Sequence, residues 1–332
     1  MSGVLRVGVI GAGAMGASHV RTLSESVPAA RVTAVYDRDV ARAGEVAGAV
    51  GAVATDSAEA LVASGEVDAV VVASPDFTHA DLAVACIDAG KPVLCEKPLA
   101  VTAKDALRVV EAEVAGGRQL VQVGFMRRFD PGFLALRRHV ADGTLGEVRL
   151  VHAVHRNATN STSTDDATLV TGSMVHELDI VPWLLDDPLV GIRVESPVAE
   201  GFRDPQLATL WTRSGVMVTV DIFANAAYGY DVRCEVVGTR GTAALSPVAP
   251  VSLRAAGREG TALGQDFVAH FLEAYRVELS AWAEAAARGG VDGPSAWDGY
   301  LANVAAEAGV ASLSTGSREV IDPGERPALY AG

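Results

Sequence analysis

The most constraining feature of this chain is six residues long. Gly11-Ala12-Gly13-Ala14-Met15-Gly16 follows an apolar run at residues 5–10 and opens a stretch of helical character reaching about Leu23. Glycines at this spacing match many turns by chance. Set between a strand and a helix, with Asp37 closing the next apolar run at 31–36, they form a dinucleotide-binding βαβ signature. Gly11 allows the tight turn, Gly13 lets the backbone approach a pyrophosphate, and Gly16 lets the helix pack close to the strand. The helix start offers unbonded N–H groups and a positive dipole end to phosphates. Asp37 would accept hydrogen bonds from the adenosine ribose and repel a 2′-phosphate, which favours NAD over NADP. Arg38, next to it, softens that preference.

The same alternation continues. Helical stretches reach residue 50 and cover 58–64, 79–89 and 103–115, and apolar runs follow at 69–73, 92–95 and 120–123. Runs this continuous, between amphipathic helices, predict a parallel sheet covered on both faces. That is a doubly wound α/β domain ending near Gly124. After a helix at about 131–140 the pattern changes to β-type segments at 147–156, 190–200, 208–214, 216–226, 230–237 and 242–245. One helix interrupts them (about 173–185) and two long ones follow (about 266–288 and 295–315). Successive strands without helices between them predict an open, mainly antiparallel sheet with helices on one face. The expected domains are 1–124, binding the dinucleotide, and 125–332, an α+β domain for substrate and subunit association.

Composition narrows the partners. With 332 residues, 49% apolar and 20% charged, the chain is long enough for two cores and too apolar for general disorder. Forty-one acidic against 27 basic residues give a formal charge of −14, a field that repels nucleic acid and anionic membranes. Cys86, Cys95 and Cys234 show no CxxC spacing, which argues against a zinc site or a disulfide framework and for a reducing compartment. The opening residues carry no signal-peptide pattern, and no run approaches the ~20 apolar residues of a membrane span. A cytoplasmic protein without a metal is expected. Its only lysines, Lys91, Lys97 and Lys104, fall within one short window.

Two further motifs occupy carboxyl ends of predicted strands, the edge where such sheets bind ligands. They are Ser74-Pro75-Asp76-Phe77-Thr78-His79 and Glu96-Lys97-Pro98. With the glycine turn, they make the chain resemble the glucose–fructose oxidoreductase / inositol dehydrogenase / rhizopine catabolism family over essentially its whole length. Its inositol-oxidising members are the most similar. The matching stretches are Gly124-Phe125-Met126-Arg127-Arg128-Phe129-Asp130, His155-Arg156-Asn157, His176-Glu177-Leu178-Asp179, Tyr228-Gly229-Tyr230-Asp231 and Gly293-Pro294-Ser295-Ala296-Trp297-Asp298-Gly299-Tyr300. The resemblance implies oxidation of a myo-inositol-like cyclic polyol to a ketone, hydride transfer to NAD, and a homotetramer built on the open sheet. It implies cofactor contacts at Gly11, Ala12, Gly13, Ala14, Met15, Gly16, Asp37, Arg38, Ser74, Pro75, His79, Glu96, Lys97 and Met126. Substrate contacts are implied at Lys97, Arg127, His155, Asn157, Ser173, His176 and Tyr230.

Oxidising a secondary alcohol needs a base within reach of the hydroxyl proton. His176 suits that role, since imidazole accepts a proton near neutral pH and the start of the 173–185 helix disfavours imidazolium. Lys97, in Glu-Lys-Pro with Pro98 expected to be cis, would stabilise developing alkoxide. The plainer readings are a structural histidine, a surface lysine, His155 on a strand surface, Tyr228 or Tyr230 in the core, and Met126 and Trp297 simply buried. Asp179 reads as serving its own helix. One departure stands out: the resemblance implies aspartate four residues before His176, and this chain has Gly172. Asp165 or Asp166 could supply the missing charge. Asn157 is also followed by Ala158 where the family pattern has proline. The alternatives are therefore a dehydrogenase of an aminocyclitol or sugar derivative, an enzyme that keeps NAD bound through a transient oxidation, or a catalytically impaired NAD- or sugar-binding regulator.

Overall fold

The computed structural model describes residues 3–159, 165–246, 252–255, 257–261 and 263–331. The chain packs as two compact units. One comprises Met1–Met126, Glu273–Asn303 and Pro323–Gly332; the other comprises Arg127–Leu272 and Val304–Asp322.

In the first unit the strands are β1 (Leu5–Ile10), β2 (Ala30–Tyr36), β3 (Val53–Ala54), β4 (Ala69–Val72), β5 (Val93–Glu96) and β6 (Val121–Gly124). They form one parallel sheet in the order β3-β2-β1-β4-β5-β6. Every residue of β4, β5 and β6 is buried, as strands covered on both faces require. Gly8 lies inside β1 because a Cβ there would stand 2.5 Å from Leu61 Cδ2. The strand order reverses between β1 and β4, the switch point at which such sheets open a crevice. The two-residue edge strand β3 is too short to show a period, and the sequence gives no sign of it.

The helix Leu272–Ala286 belongs to this unit by its packing. Leu279, Trp282, Ala283 and Ala286 share a core cluster with Val7, Val9, Val35 and Val71, and Trp282 is fully buried. The chain end is tied down too. Tyr330 donates to the buried Glu113 at 2.5 Å, and Glu113 also accepts the Leu120 and Val121 N–H groups.

The second unit holds β7 (Val148–Arg156), β8 (Leu189–Glu195), β9 (Gln206–Thr212), β10 (Met217–Phe223), β11 (Asp231–Gly238), β12 (Thr242–Ala244) and, after the hairpin β13 (Ser252–Ala255) and β14 (Arg258–Thr261), β15 (Glu319–Val320). The sheet runs β12-β11-β7-β10-β9-β8-β15 and is antiparallel except where β7 lies parallel to β10. Alternation along β7 buries Val151, Ala153 and His155 on one face and leaves Leu150 and His152 on the other. The predicted segment 190–200 stops at Glu195, and the predicted helix 266–288 is two helices, Phe267–His270 and Leu272–Ala286. No helix among the described residues is long and apolar enough to cross a membrane.

Trp282→Ala is expected to destabilise the protein by about 3–5 kcal/mol, the usual cost of emptying a large aromatic site. Denaturant unfolding measures it. A loss below about 1 kcal/mol would show that the helix is only loosely attached to its unit.

Candidate active site

In the first unit the glycine turn is shaped by crowding. Gly11 has φ +98°, and a Cβ on it would collide with the Ala73 carbonyl at the end of β4. A Cβ on Gly16 would strike the Gly11 carbonyl, whereas one on Gly13 meets nothing within 4 Å. The loop therefore closes tightly against its own sheet and stays open where a phosphate would lie. The helix Ala14–Ser26 starts there with Gly13 as N-cap, no side-chain cap and no acidic residue in its first turn. Its first N–H groups, on Ala14 and Met15, are left for an anion. Asp37 accepts from Ala12 N–H at 2.7 Å and from Asp39 N–H at 2.8 Å, which fixes the carboxylate beside the loop; Arg38 is exposed. A carboxylate offers about four acceptor sites, so capacity remains for ribose hydroxyls. These residues fit a dinucleotide.

The ends of β4 and β5 carry the next group. Ser74 Oγ and Thr78 Oγ1 are 2.6 Å apart, Pro75 is exposed, and His79 is buried. His79 spans two segments, with Nδ1 2.7 Å from the Pro98 carbonyl and Nε2 2.9 Å from the Ser74 carbonyl. Both carbonyls only accept, so whichever ring nitrogen carries a proton donates to one of them. The Lys97–Pro98 peptide is cis, and Lys97 is half-buried. Glu96 is buried and lies 2.7 Å from His19 Nε2. Burial pushes its carboxyl up, but the His19 hydrogen bond and the positive neighbourhood of His19, Lys97 and His79 outweigh this and hold it below the ordinary value. Met126 is 1% exposed, and Trp297 is buried against Tyr300 and Tyr330.

The second unit brings together Arg127, His155, His176, Glu177 and Tyr230. The helix Val175–Leu185 is buried along nearly its whole length, which places two polar neighbours, His176 and Glu177, inside the unit. Glu177 forms an ion pair with Arg127, each 1% exposed. Burial drives the Glu177 carboxyl up, yet Arg127 and His155 outweigh it and bring it down to about 2. Its other oxygen faces His155 Nδ1 at 3.2 Å. A carboxylate only accepts, so that contact is a hydrogen bond when His155 carries a proton on Nδ1. Arg127 Nη2, also 3.2 Å from that nitrogen, is then a contact rather than a donated bond. The His155 ring stands edge-on to His176 at 5.8 Å and to Tyr230 at 6.1 Å. Tyr230 is buried and bonds Arg127; burial pushes its hydroxyl up to about 12, so it is a neutral donor. Asn157 and Ser173 are part-exposed. Tyr228 is not core: it is 47% exposed and donates to Asp231.

One expectation changes. The helical backbone does not begin near residue 173. It starts at Asp166, capped by Asp165, and passes through a π turn at Leu169–Met174 that contains Gly172. The positive helix end is therefore about ten residues away from His176, and the dipole effect fades beyond the first turn. Asp165 is committed to its cap, and Asp166 to the Arg203 N–H and guanidinium, both at 2.6 Å. Both carboxylates are thus engaged within their own surroundings. Asp179 pairs with Arg128, which lies outside its helix.

Sequence reasoning passed over His19, Glu177 and His270, the last edge-on to Tyr230 at 5.3 Å. A signal for His19 existed. Gly16, His19, Val20 and Leu23 form the buried stripe of their helix, and a histidine in such a stripe needs a partner. Among the described residues no cluster of His, Cys, Asp or Glu is placed to hold a metal ion, and the three cysteines are buried free thiols.

Comparison with known proteins agrees with this geometry. Residues 5–125 match the family model described as an oxidoreductase family with an NAD-binding Rossmann fold, and 133–244 match the GFO/IDH/MocA C-terminal domain. Inositol 2-dehydrogenase 2 of Saccharopolyspora erythraea is 49% identical, with 98% of each chain covered. Inositol 2-dehydrogenase of Paracoccus denitrificans is 44% identical, covering 98% of this chain and 99% of its own. The structure of myo-inositol dehydrogenase from Lactobacillus casei in complex with NAD(H) and myo-inositol superposes with a TM-score of 0.94 at 34% identity, covering 99% of this chain and 100% of that one.

Glu177 makes acid stability specific. Its folded value near 2 lies below the ordinary 4.5, so its contribution is present above about pH 4.5 and is lost as pH falls towards 2. Glu177→Gln should cost about 3–5 kcal/mol at pH 7, because Arg127 keeps a buried charge without its partner. Between pH 5 and 3 the variant should lose less stability than the parent. Parallel urea curves across that range would show that the pair is not ionised as drawn.

Proposed function

The chain belongs to the Gfo/Idh/MocA oxidoreductase family, and from that membership we propose that it oxidises a ring hydroxyl of myo-inositol or a close cyclitol to the ketone. It is an NAD-dependent dehydrogenase. When bound, NAD supplies the hydride acceptor. Lys97 Nζ stabilises the developing alkoxide, and a ring nitrogen of His176 takes the hydroxyl proton. His155, Tyr230, Asn157 and Ser173 offer the donors and acceptors that a ring of hydroxyls calls for. Arg127 acts through Tyr230, which it holds, since its own guanidinium is buried on Glu177. The observation that carries the substrate reading is end-to-end similarity to proteins named for inositol oxidation, extending through the unit that holds this array. Asp37, held beside the glycine turn, is the reason for preferring NAD to NADP.

The same reading covers assembly and place. The outward face of the second sheet carries Leu150 and Met217 in register on neighbouring strands, with Trp211 opposite Met217. This apolar strip supports a homotetramer packed sheet against sheet. Buried free thiols and the acidic composition fit a cytoplasmic enzyme with no nucleic-acid or membrane partner.

Adding myo-inositol should reduce NAD+ in preference to NADP+, followed at the nicotinamide absorbance. Lys97→Met should lower kcat at least ~100-fold with NAD affinity within a few-fold, because the lost charge acts mainly in the transition state. Near-normal turnover in that variant would remove Lys97 from the mechanism.

Gly172 sets the second test. A carboxylate four residues before His176 would stabilise the imidazolium formed as the proton leaves the substrate, and Asp165 and Asp166 are engaged by their cap and by Arg203. Gly172→Asp is expected to raise kcat on myo-inositol roughly tenfold, about 1.4 kcal/mol of barrier, and to move the acidic limb of the pH–rate profile upward. An unchanged profile with an unchanged or lower rate would mean that His176 does not need the charge.

A further inference from the structure

We infer that Glu96 is the positioning residue of Lys97, and that His19 holds Glu96 in that role so that the nucleotide helix and the lysine are set together. The inference rests on the reading of Lys97 given above and adds residues that act on it.

Three observations carry it, all within the first unit. His19 Nε2 and Glu96 Oε1 are 2.7 Å apart, with His19 1% and Glu96 6% exposed. The other Glu96 oxygen accepts the Lys97 backbone N–H at 3.3 Å, so one carboxylate joins the imidazole to the backbone of the lysine. His19 is the sixth residue of the helix Ala14–Ser26, whose uncapped first turn is the pyrophosphate end. A shift of that helix therefore passes through one hydrogen bond to the residue before Lys97.

The surroundings leave Glu96 little choice of position. Its side chain lies against Gly124 at the end of β6, where a Cβ would come within 3.2 Å of Oε2. Tyr275 stands edge-on to the His19 ring at 5.8 Å and closes the far side. From the next segment, His79 grips the Pro98 carbonyl at 2.7 Å, so the turn Glu96-Lys97-Pro98 is fastened at both ends. A buried hydrogen bond such as His19–Glu96 adds little net stability, because it replaces hydrogen bonds to water. Two fixed hydrogen bonds on either side of a flexible lysine instead reduce the rotamers open to it, which is how supporting partners orient a reacting group.

The test exploits the scarcity of lysine. Labelling lysine with carbon-13 at Cε gives only three side-chain signals, from Lys91, Lys97 and Lys104, and Lys97→Met identifies the second. In the parent protein, adding NAD+ should move the Lys97 signal and leave the other two in place. In His19→Ala that response should fall by more than half, and kcat on myo-inositol should fall about 10- to 100-fold with both KM values within about threefold. His19→Gln, whose Nε2 can donate from nearly the same place, should recover most of the loss. Combined with Glu96→Gln, His19→Ala should cost no more than about threefold beyond Glu96→Gln alone, since both remove one link.

A full Lys97 response to NAD+ in His19→Ala, losses that multiply in the double variant, or no recovery in His19→Gln would each overturn the inference. Should His19→Ala fail to fold, Glu96→Gln decides alone: a Lys97 signal and kcat like the parent's would sink it. The carbon signals report lysine position without turnover. If Lys97→Met keeps its activity, the chemical role of Lys97 falls while these signals still judge the positioning.

Discussion

The nucleotide half of this protein depends on one steric contact, the approach of the Gly11 backbone to the end of β4. The parallel sheet reverses its strand order between β1 and β4, so the two carboxyl ends diverge into a crevice. Only a residue without a side chain can turn there against the Ala73 carbonyl at φ +98°. Gly16 repeats the condition one turn into the following helix, against Gly11 itself. With both methyl groups absent the helix seats low on the sheet, its first N–H groups face the crevice, and Ala12 can donate to Asp37. The open N–H groups, the fixed Asp37 carboxylate and the seat of the helix that carries His19 are all consequences of that fit.

The second unit is organised by charge instead. Arg127 and Glu177 lie almost wholly out of water, and removing two charges from solvent costs energy that their attraction only partly returns. What the pair provides is definition. An ionised Glu177 admits only a donor, which favours a proton on His155 Nδ1, and Arg127 fixes the Tyr230 hydroxyl from the other side. Strand alternation puts His155 in line with Val151 and Ala153, and a helix buried nearly all round puts His176 and Glu177 beneath it. Each polar group reaches the array because the apolar pattern around it has already been decided.

How much of this was legible depended on whether the cause was local. The glycine turn, the continuous apolar strands, Glu96-Lys97-Pro98 and the change to alternating strands are written within a few residues each, and they carry the fold class and the cofactor. The helix Leu272–Ala286 is different. Its periodicity says that one face is buried and cannot say that Trp282 packs beside Val7 and Val9 of β1. The π turn at Leu169–Met174 was equally invisible, because one extra residue per turn alters no composition, yet it removes His176 from a helix end. Glu177 and His19 fall between these cases. Glu177 lies in a helix buried nearly all round and His19 in the buried stripe of Gly16, Val20 and Leu23, so the sequence announced that a partner was needed without naming it.

The two units fix their polar groups by different means. On the nucleotide side the geometry is enforced by atoms that must be absent, and a single methyl group at Gly11 or Gly16 meets backbone that cannot move away. In the second unit the fixed element is the Arg127–Glu177 pair, two opposite charges almost wholly out of water, with His155 and Tyr230 set around it. A missing atom constrains by shape alone and is indifferent to pH, whereas the pair constrains only while Glu177 stays ionised.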